Sequence, residues 1–438
     1  MSKFITTLLF VFLAASVIKA QETIEVGLQP TAIIYDEAQQ GFHVFCFGYD
    51  EDFDGEKLSD SEESPSWWFI TNHLDVWTAE KKMEFDFLSF KFPFRPAVIW
   101  NETTPTIYIP QKDTIKSFNL NTFEVIDDNF LPVDANAVDA ADDAHLLVTR
   151  NNYFDIADVL VYQISSKEKL QDISTINNPT MALYYKTSEN KKGMAILNEG
   201  GWGENNSVLQ LGYINHKSEF ELDTLHIGDL GNHIYYTPEY PDNMIVTVNG
   251  SDRVLVIDLI NNEVERTIQM DALTAPRESF LWDDKIWTTT YSDDIIVSDF
   301  NTGEIIKKNK TDSYTEGMAL GMGMVAVSNV SNTDYTPNNV VQLFPISVTG
   351  IEALAKNNQD AILYPNPANN IVNIELKNNE NIEQIELLDI SGNLLLKYSN
   401  ISSKSGNSIQ LDEVSSGTYF VRITGAGNEY LKILKVTK

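Results

Sequence analysis

Asp50, Asp52 and Asp54 alternate along Asp50-Glu51-Asp52-Phe53-Asp54-Gly55. Three carboxylates at that spacing, followed by a glycine that permits a sharp turn, form the opening of a calcium loop. Calcium is therefore the one cofactor this chain suggests. The twelfth position is Ser61 where such loops carry glutamate, so Glu62 or Glu63 would have to stand in. The plainer reading is a solvated acidic loop. The six histidines show neither H-x-x-x-H nor H-E-x-x-H spacing; His226-Ile227-Gly228-Asp229 with His233 is the nearest cluster. No G-x-S-x-G elbow and no phosphate-cradling Gly-Lys loop occurs. The single cysteine, Cys46, lies in the apolar run Phe42 to Phe47. An internal disulfide is impossible, and a buried inert thiol is expected.

The elements that must position any such chemistry repeat. A phrase of strand, polar turn and strand is plainest at Met244–Leu259, Lys285–Phe300 and Thr106–Leu120. The first apolar residue of the later strand falls at Ile115, Val159, Val208, Val254, Ile295 and Val340, with Leu74 one step earlier. A period of about 45 residues with several strands per unit is the signature of a β-propeller. The expected fold is all-β: a seven-bladed β-propeller over residues 22–350, followed by a small C-terminal β-sandwich. First strands are expected to start near Pro30, Arg95, Asn136, Pro179, Asn232, Pro276 and Thr315, and Thr23–Val26 should close the ring on the last blade. The insertion Tyr49–Ser66 falls in blade one without declaring its loop.

In such a ring, loops entering the first strands and loops joining second to third strands share one face. That funnel face is expected to bind the ligand through Arg95, Arg150, Tyr153, Trp202, His233, Arg277, Tyr291 and Glu316. Aromatic rings beside arginine suit a planar or glycan-like ligand through stacking and hydrogen bonds. Non-catalytic binding or scaffolding is the leading expectation, with a small molecule, glycan or protein as ligand. A propeller enzyme of lactonase, lyase or glycosidase type is the alternative, with Glu278, Glu316 and His233 as acid–base groups at the channel mouth. A structural surface-layer component is the third.

The net charge of −32 argues against nucleic acid and against anionic membrane surfaces as partners, since both recruit basic patches. Residues 1–20 read as a signal peptide: Lys3, an apolar stretch from Phe4 to Ile18, then small Ala20 at the cleavage point. The stretch is too short for a membrane span, and no cysteine follows it for a lipid anchor. Residues 351–360 read as a linker, and 361–438 as a compact unit with strands at Ile371–Leu376, Ile382–Leu388, Leu394–Tyr398, Ser408–Leu411, Thr418–Thr424 and Leu431–Val436.

Two resemblances follow. The tail resembles the C-terminal sorting domain of the type IX secretion system of Bacteroidetes through Leu363-Tyr364-Pro365-Asn366-Pro367-Ala368, Leu388-Asp389-Ile390-Ser391-Gly392, and Val414-Ser415-Ser416-Gly417-Thr418-Tyr419-Phe420-Val421-Arg422. That resemblance implies export to the outer surface or the medium, with the secretion machinery as a partner through residues 361–438. The body resembles YVTN-type propellers of bacterial surface proteins at Ile245–Asn249 and Val254–Asp258, and Asn198-Glu199-Gly200-Gly201-Trp202-Gly203 resembles a phrase of a bacteroidete propeller family. Some relatives there capture cobalamin or siderophores.

Overall fold

The computed structural model describes residues 22–346 and 361–438, apart from 53–55, 58, 60, 74–75, 92–93, 101–103, 143, 154–155, 215–219, 377–381, 383, 389–393, 400–407, 413 and 426–427. The expected signal peptide (1–20), the linker (351–360), Leu74 and Asp54 lie outside the described residues. The chain divides into two compact units, residues 1–346 and 347–438.

The first unit holds seven four-stranded antiparallel sheets, six of them meanders in which consecutive strands pair and the seventh completed by the first described strand. Blade six is typical: Pro276–Trp282, Lys285–Thr290, Asp294–Asp299 and Ile305–Lys310. Its two middle strands are buried on both faces, because neighbouring sheets cover each side, and they read accordingly as runs of β-branched and aromatic residues. The outermost strand has a solvated face, and Lys308 and Lys310 occupy it. Asp283, Asp284 and Asp293 take positive φ in its turns, a conformation that aspartate tolerates better than branched residues.

The first strands around the axis are Pro30–Asp36, Ala97–Ile99, Ala137–Asp142, Pro179–Lys186, Gly231–Tyr235, Pro276–Trp282 and Tyr314–Gly321. Glu22–Glu25 pairs antiparallel with Pro337–Pro345, Glu22 opposite Leu343 and Glu25 opposite Val340. The start of the described chain thus supplies the outer strand of blade seven and seals the ring. Ile115, Val159, Val208, Val254, Ile295 and Val340 all lie in third strands. In blade one the third strand is Ser66–His73, so the Tyr49–Ser66 insertion occupies the loop between its second and third strands.

Blades one and two meet through an aromatic cluster of Phe45, Trp67, Phe85, Phe90, Phe94 and Phe118. Beside it Trp67 Nε1 donates to His43 Nδ1 at 3.2 Å, which leaves the ring proton on Nε2, facing Asp36 Oδ2 at 3.3 Å. Burial holds His43 neutral. Burial pushes the Asp36 carboxyl up, but hydrogen bonds from His43 and Gln39 outweigh it and bring the group to about 2. Cys46 is fully buried and its thiol is raised by burial, as an inert packing residue requires.

The second unit packs a three-stranded sheet (Ala361–Tyr364, Ile371–Leu376, Ser408–Gln410) and a four-stranded one (Leu394–Ser399, Gln384–Leu388, Gly417–Gly425, Asn428–Val436). In Ile371–Leu376 every second residue is buried, so Val372, Ile374 and Leu376 enter a core shared with Ile385, Leu387, Ile409, Val421, Ile423 and Leu434.

Candidate functional site

All seven first strands run in the same direction along the axis, so the propeller has an entry end, where they start, and a hairpin end, where they turn into second strands. At the axis several strands carry small side chains: Ala32, Ala137, Ala140, Ala182 and Ala319. Their size leaves a cavity of about 740 Å³ lined by residues of every blade. It reaches the hairpin end, where Tyr35, Trp100, Tyr184, Tyr235, Phe280 and Trp282 line it. Trp100 is 47% exposed and Trp282 40%, so both rings face water.

Toward the entry end the chamber is lined by Arg95, Glu278 and His233. Arg95 Nη1 donates to Glu278 Oε1, and the backbone N–H of Met318 donates to Glu278 Oε2 at 3.2 Å. Burial pushes the Glu278 carboxyl up, and Arg95 restrains it. His233 Nδ1 accepts the backbone N–H of Ser279 at 3.3 Å. Burial, with the Arg95 charge beside it, keeps His233 neutral. Asp139, on the first strand of blade three, also lines the chamber. It takes backbone hydrogen bonds from Ala140 and Tyr184, yet burial pushes its carboxyl up to about 7.

The entry end is filled differently. Arg277 Nε and Nη2 donate to the two carboxylate oxygens of Glu316, both at 2.8 Å, and Tyr291 Oη donates to Glu316 Oε2 at 2.7 Å. The Arg277 guanidinium lies 4.6 Å from the centre of the Tyr291 ring, which stacks on Tyr314 at 5.5 Å. Tyr153 Oη donates to Glu199 Oε2 at 3.2 Å, and burial raises the Glu199 carboxyl. Arg150 is committed to Asp158 of its own blade, Nε to Oδ1 at 2.7 Å. Trp202 is 88% exposed on the loop leaving the second strand of blade four.

Of the eight residues singled out for ligand binding, Arg95 and His233 line the chamber, while Arg277, Tyr291 and Glu316 form one cluster at the entry end. Arg150, Tyr153 and Trp202 lie apart from the chamber. Tyr35, Trp100, Asp139, Tyr184 and Trp282 were not anticipated. A signal was available: Tyr35, Trp100 and Tyr184 each lie five residues after an expected first-strand start, at Pro30, Arg95 and Pro179. In the blade-one insertion the carboxylate oxygens of Asp50, Asp52 and Glu62 come within 4.8 Å of one another, Glu62 being one residue past the position where the pattern calls for an acid. Ser59 N–H donates to Glu62 Oε2 at 2.8 Å.

Residues 362–436 match the family described as the secretion system C-terminal sorting domain. A domain of this kind marks a chain for secretion or cell-surface export and for recognition by the type IX secretion machinery. Among solved structures the chain is similar to hydrazine synthase of Kuenenia stuttgartiensis, at 10% identity over 74% of this chain and 98% of that one, with a TM-score of 0.53. It is also similar to the WD40 β-propeller domain of Doa1, at 12% identity over 73% and 97%, with a TM-score of 0.49. At these identities the likeness is one of fold. No curated protein matches the chain in sequence. Among the described residues no helix is long and apolar enough to cross a membrane.

Proposed function

We propose that this is an exported, non-catalytic binding propeller whose ligand, a small molecule, occupies the axial chamber from the hairpin end. In this reading residues 1–20 direct the first membrane crossing, 22–350 form the binding body, and 361–438 direct the second crossing. The chamber carries the proposal: a cavity of about 740 Å³ built from all seven blades, with aromatic walls and a few polar groups. Ligand sites are concave and mostly apolar, with a small number of placed polar groups that fix orientation, and they typically span ~300–1,000 Å³. The groups that would do acid–base work favour binding over catalysis. Glu278 is paired with Arg95, and Glu316 is held by Arg277 and Tyr291 and does not line the chamber.

The test is a thermal-shift screen of the full chain against glycans, corrinoids, siderophores and organic amines, run beside the chamber-filling variant Ala140→Trp. A ligand at about 100 times its Kd adds roughly 2.7 kcal/mol of apparent stability. The expected result is a shift with one class that Ala140→Trp abolishes. A shift that survives the filled chamber, or no shift with any class, contradicts the proposal.

A further inference from the structure

We infer that the chamber receives an organic cation, an alkyl- or arylammonium group, with Asp139 as its counter-ion and the aromatic rings at the hairpin end as its cage. This rests on the chamber being the binding site and adds the ligand's chemical class.

The charges facing the chamber lead there. Asp139 lines it, and among the described residues no cation pairs with that carboxylate; its hydrogen bonds come from backbone N–H groups. Arg95, the arginine in the lining, is committed to Glu278, and its unpartnered Nε is sealed from solvent. His233 is held neutral by burial and by Arg95. Once Arg95 and Glu278 cancel, the lining has a surplus of negative charge, and Glu239 adds to it at the mouth. An anionic ligand would find no available positive charge to receive it. A neutral ligand would take water from Asp139 and give back no charge, which penalises the ionised carboxylate further.

The rings supply the complementary half. Aromatic faces carry negative quadrupole charge and attract ammonium groups, most strongly where water is displaced, and tryptophan is the best of them. Trp100 and Trp282 face solvent from blades two and six, with Tyr35 and Tyr184 between them around the ring on blades one and four. A metal ion fits poorly, since hard cations want six or more oxygens and this lining offers few beyond Asp139. The raised carboxyl of Asp139 agrees: burial disfavours its charged form, and a bound ammonium would offset that cost. The net charge of −32 would concentrate cations near the surface before they enter.

The probes are 2-phenylethylammonium and benzyltrimethylammonium, with 2-phenylethanol and phenylacetate as neutral and anionic counterparts. Affinities are measured by calorimetry on the full chain, on Asp139→Asn and on Glu239→Gln, with each variant's melting curve recorded to confirm folding. The expected result is that both cations bind, the alcohol binds about tenfold more weakly or worse, and phenylacetate does not bind. Asp139→Asn should weaken the cations by about tenfold while leaving 2-phenylethanol binding no weaker than before, and Glu239→Gln at the rim should have less than about a threefold effect. Should the alcohol or phenylacetate bind as well as the amines, or Asp139→Asn spare the cations, the cation assignment is wrong while the chamber remains a binding site. Binding of none of the four overturns the cation assignment and leaves the chamber to the wider screen.

Discussion

At the entry end of the propeller axis, long side chains meet in pairs: Arg277 with Glu316, both against Tyr291, and Tyr153 with Glu199. Further along the axis several of the same strands place alanines beside it, rings stand around the rim at the hairpin end, and space opens between them. The two ends differ in how their polar groups are spent. Arginine and glutamate that find each other close a channel, since each neutralises the other and fills volume. Alanines flanked by half-exposed tryptophans leave a channel open. The end richer in chemically suggestive residues is therefore the packed one.

The largest effect expected from this contrast is on stability at the entry end. Arg277→Ala would leave the Glu316 carboxylate buried without its partner, a loss on the order of 3–5 kcal/mol. Urea denaturation of the two proteins measures it, and a loss below ~1 kcal/mol would mean that the pair is not the plug described. Next is Asp36→Ala in the blade-one core, which strands His43 Nε2 and should cost roughly 2–3 kcal/mol at pH 7. Because Asp36 is depressed in the folded state to about 2, its contribution is present above the unfolded carboxylate range near 4 and fades as pH falls through 2. The cost of Asp36→Ala should therefore shrink in acid.

Asp139 should behave in the opposite sense. Its folded-state carboxyl sits near 7, above the unfolded value, so the folded state binds the extra proton and stability declines as pH rises from about 4 to 7. Asp139→Asn should accordingly stabilise the ligand-free chain at pH 8.5, by on the order of 2 kcal/mol after allowance for water in the chamber, and leave it unchanged at pH 4. Melting curves at the two pH values decide it; destabilisation at pH 8.5 would show that Asp139 is a structural cap on the Tyr184 backbone. The smallest effect is expected from Trp282→Ala at the rim, under ~1 kcal/mol because the ring is 40% exposed, together with a clear loss of ligand affinity.

Much of this wheel could be read in the chain, because the features that build it are periodic. Ile115 through Val340 keep a step near 45 residues, and each lies in a third strand; all but the half-buried Val340 are core residues, where burial on both sides demands an apolar side chain. Closure by Glu22–Glu25 was legible for the same reason, as an alternating strand ahead of the first blade. The tail carried its own alternation in Ile371–Leu376. The open end of the axis was harder to see. Space comes from Ala137, Ala140, Ala182 and Ala319, and an alanine next to a cavity looks the same in sequence as one in a packed core. Arg277 and Glu316, 39 residues apart, look like free functional groups until folding brings them together. Leu74, the seventh marker, lies outside the described residues.

The contrast between the two ends can be tested in a single titration. The chain has seven tryptophans, with Trp100 and Trp282 at the chamber mouth and Trp202 on a loop at the entry end. Incorporated as 5-fluorotryptophan, each gives a separate fluorine resonance, assigned by substitution. On addition of the ligand class that stabilises the chain, the Trp100 and Trp282 resonances should move together while Trp202 stays fixed. Movement of Trp202 with Trp100 and Trp282 unmoved would place the ligand at the entry end and contradict the account.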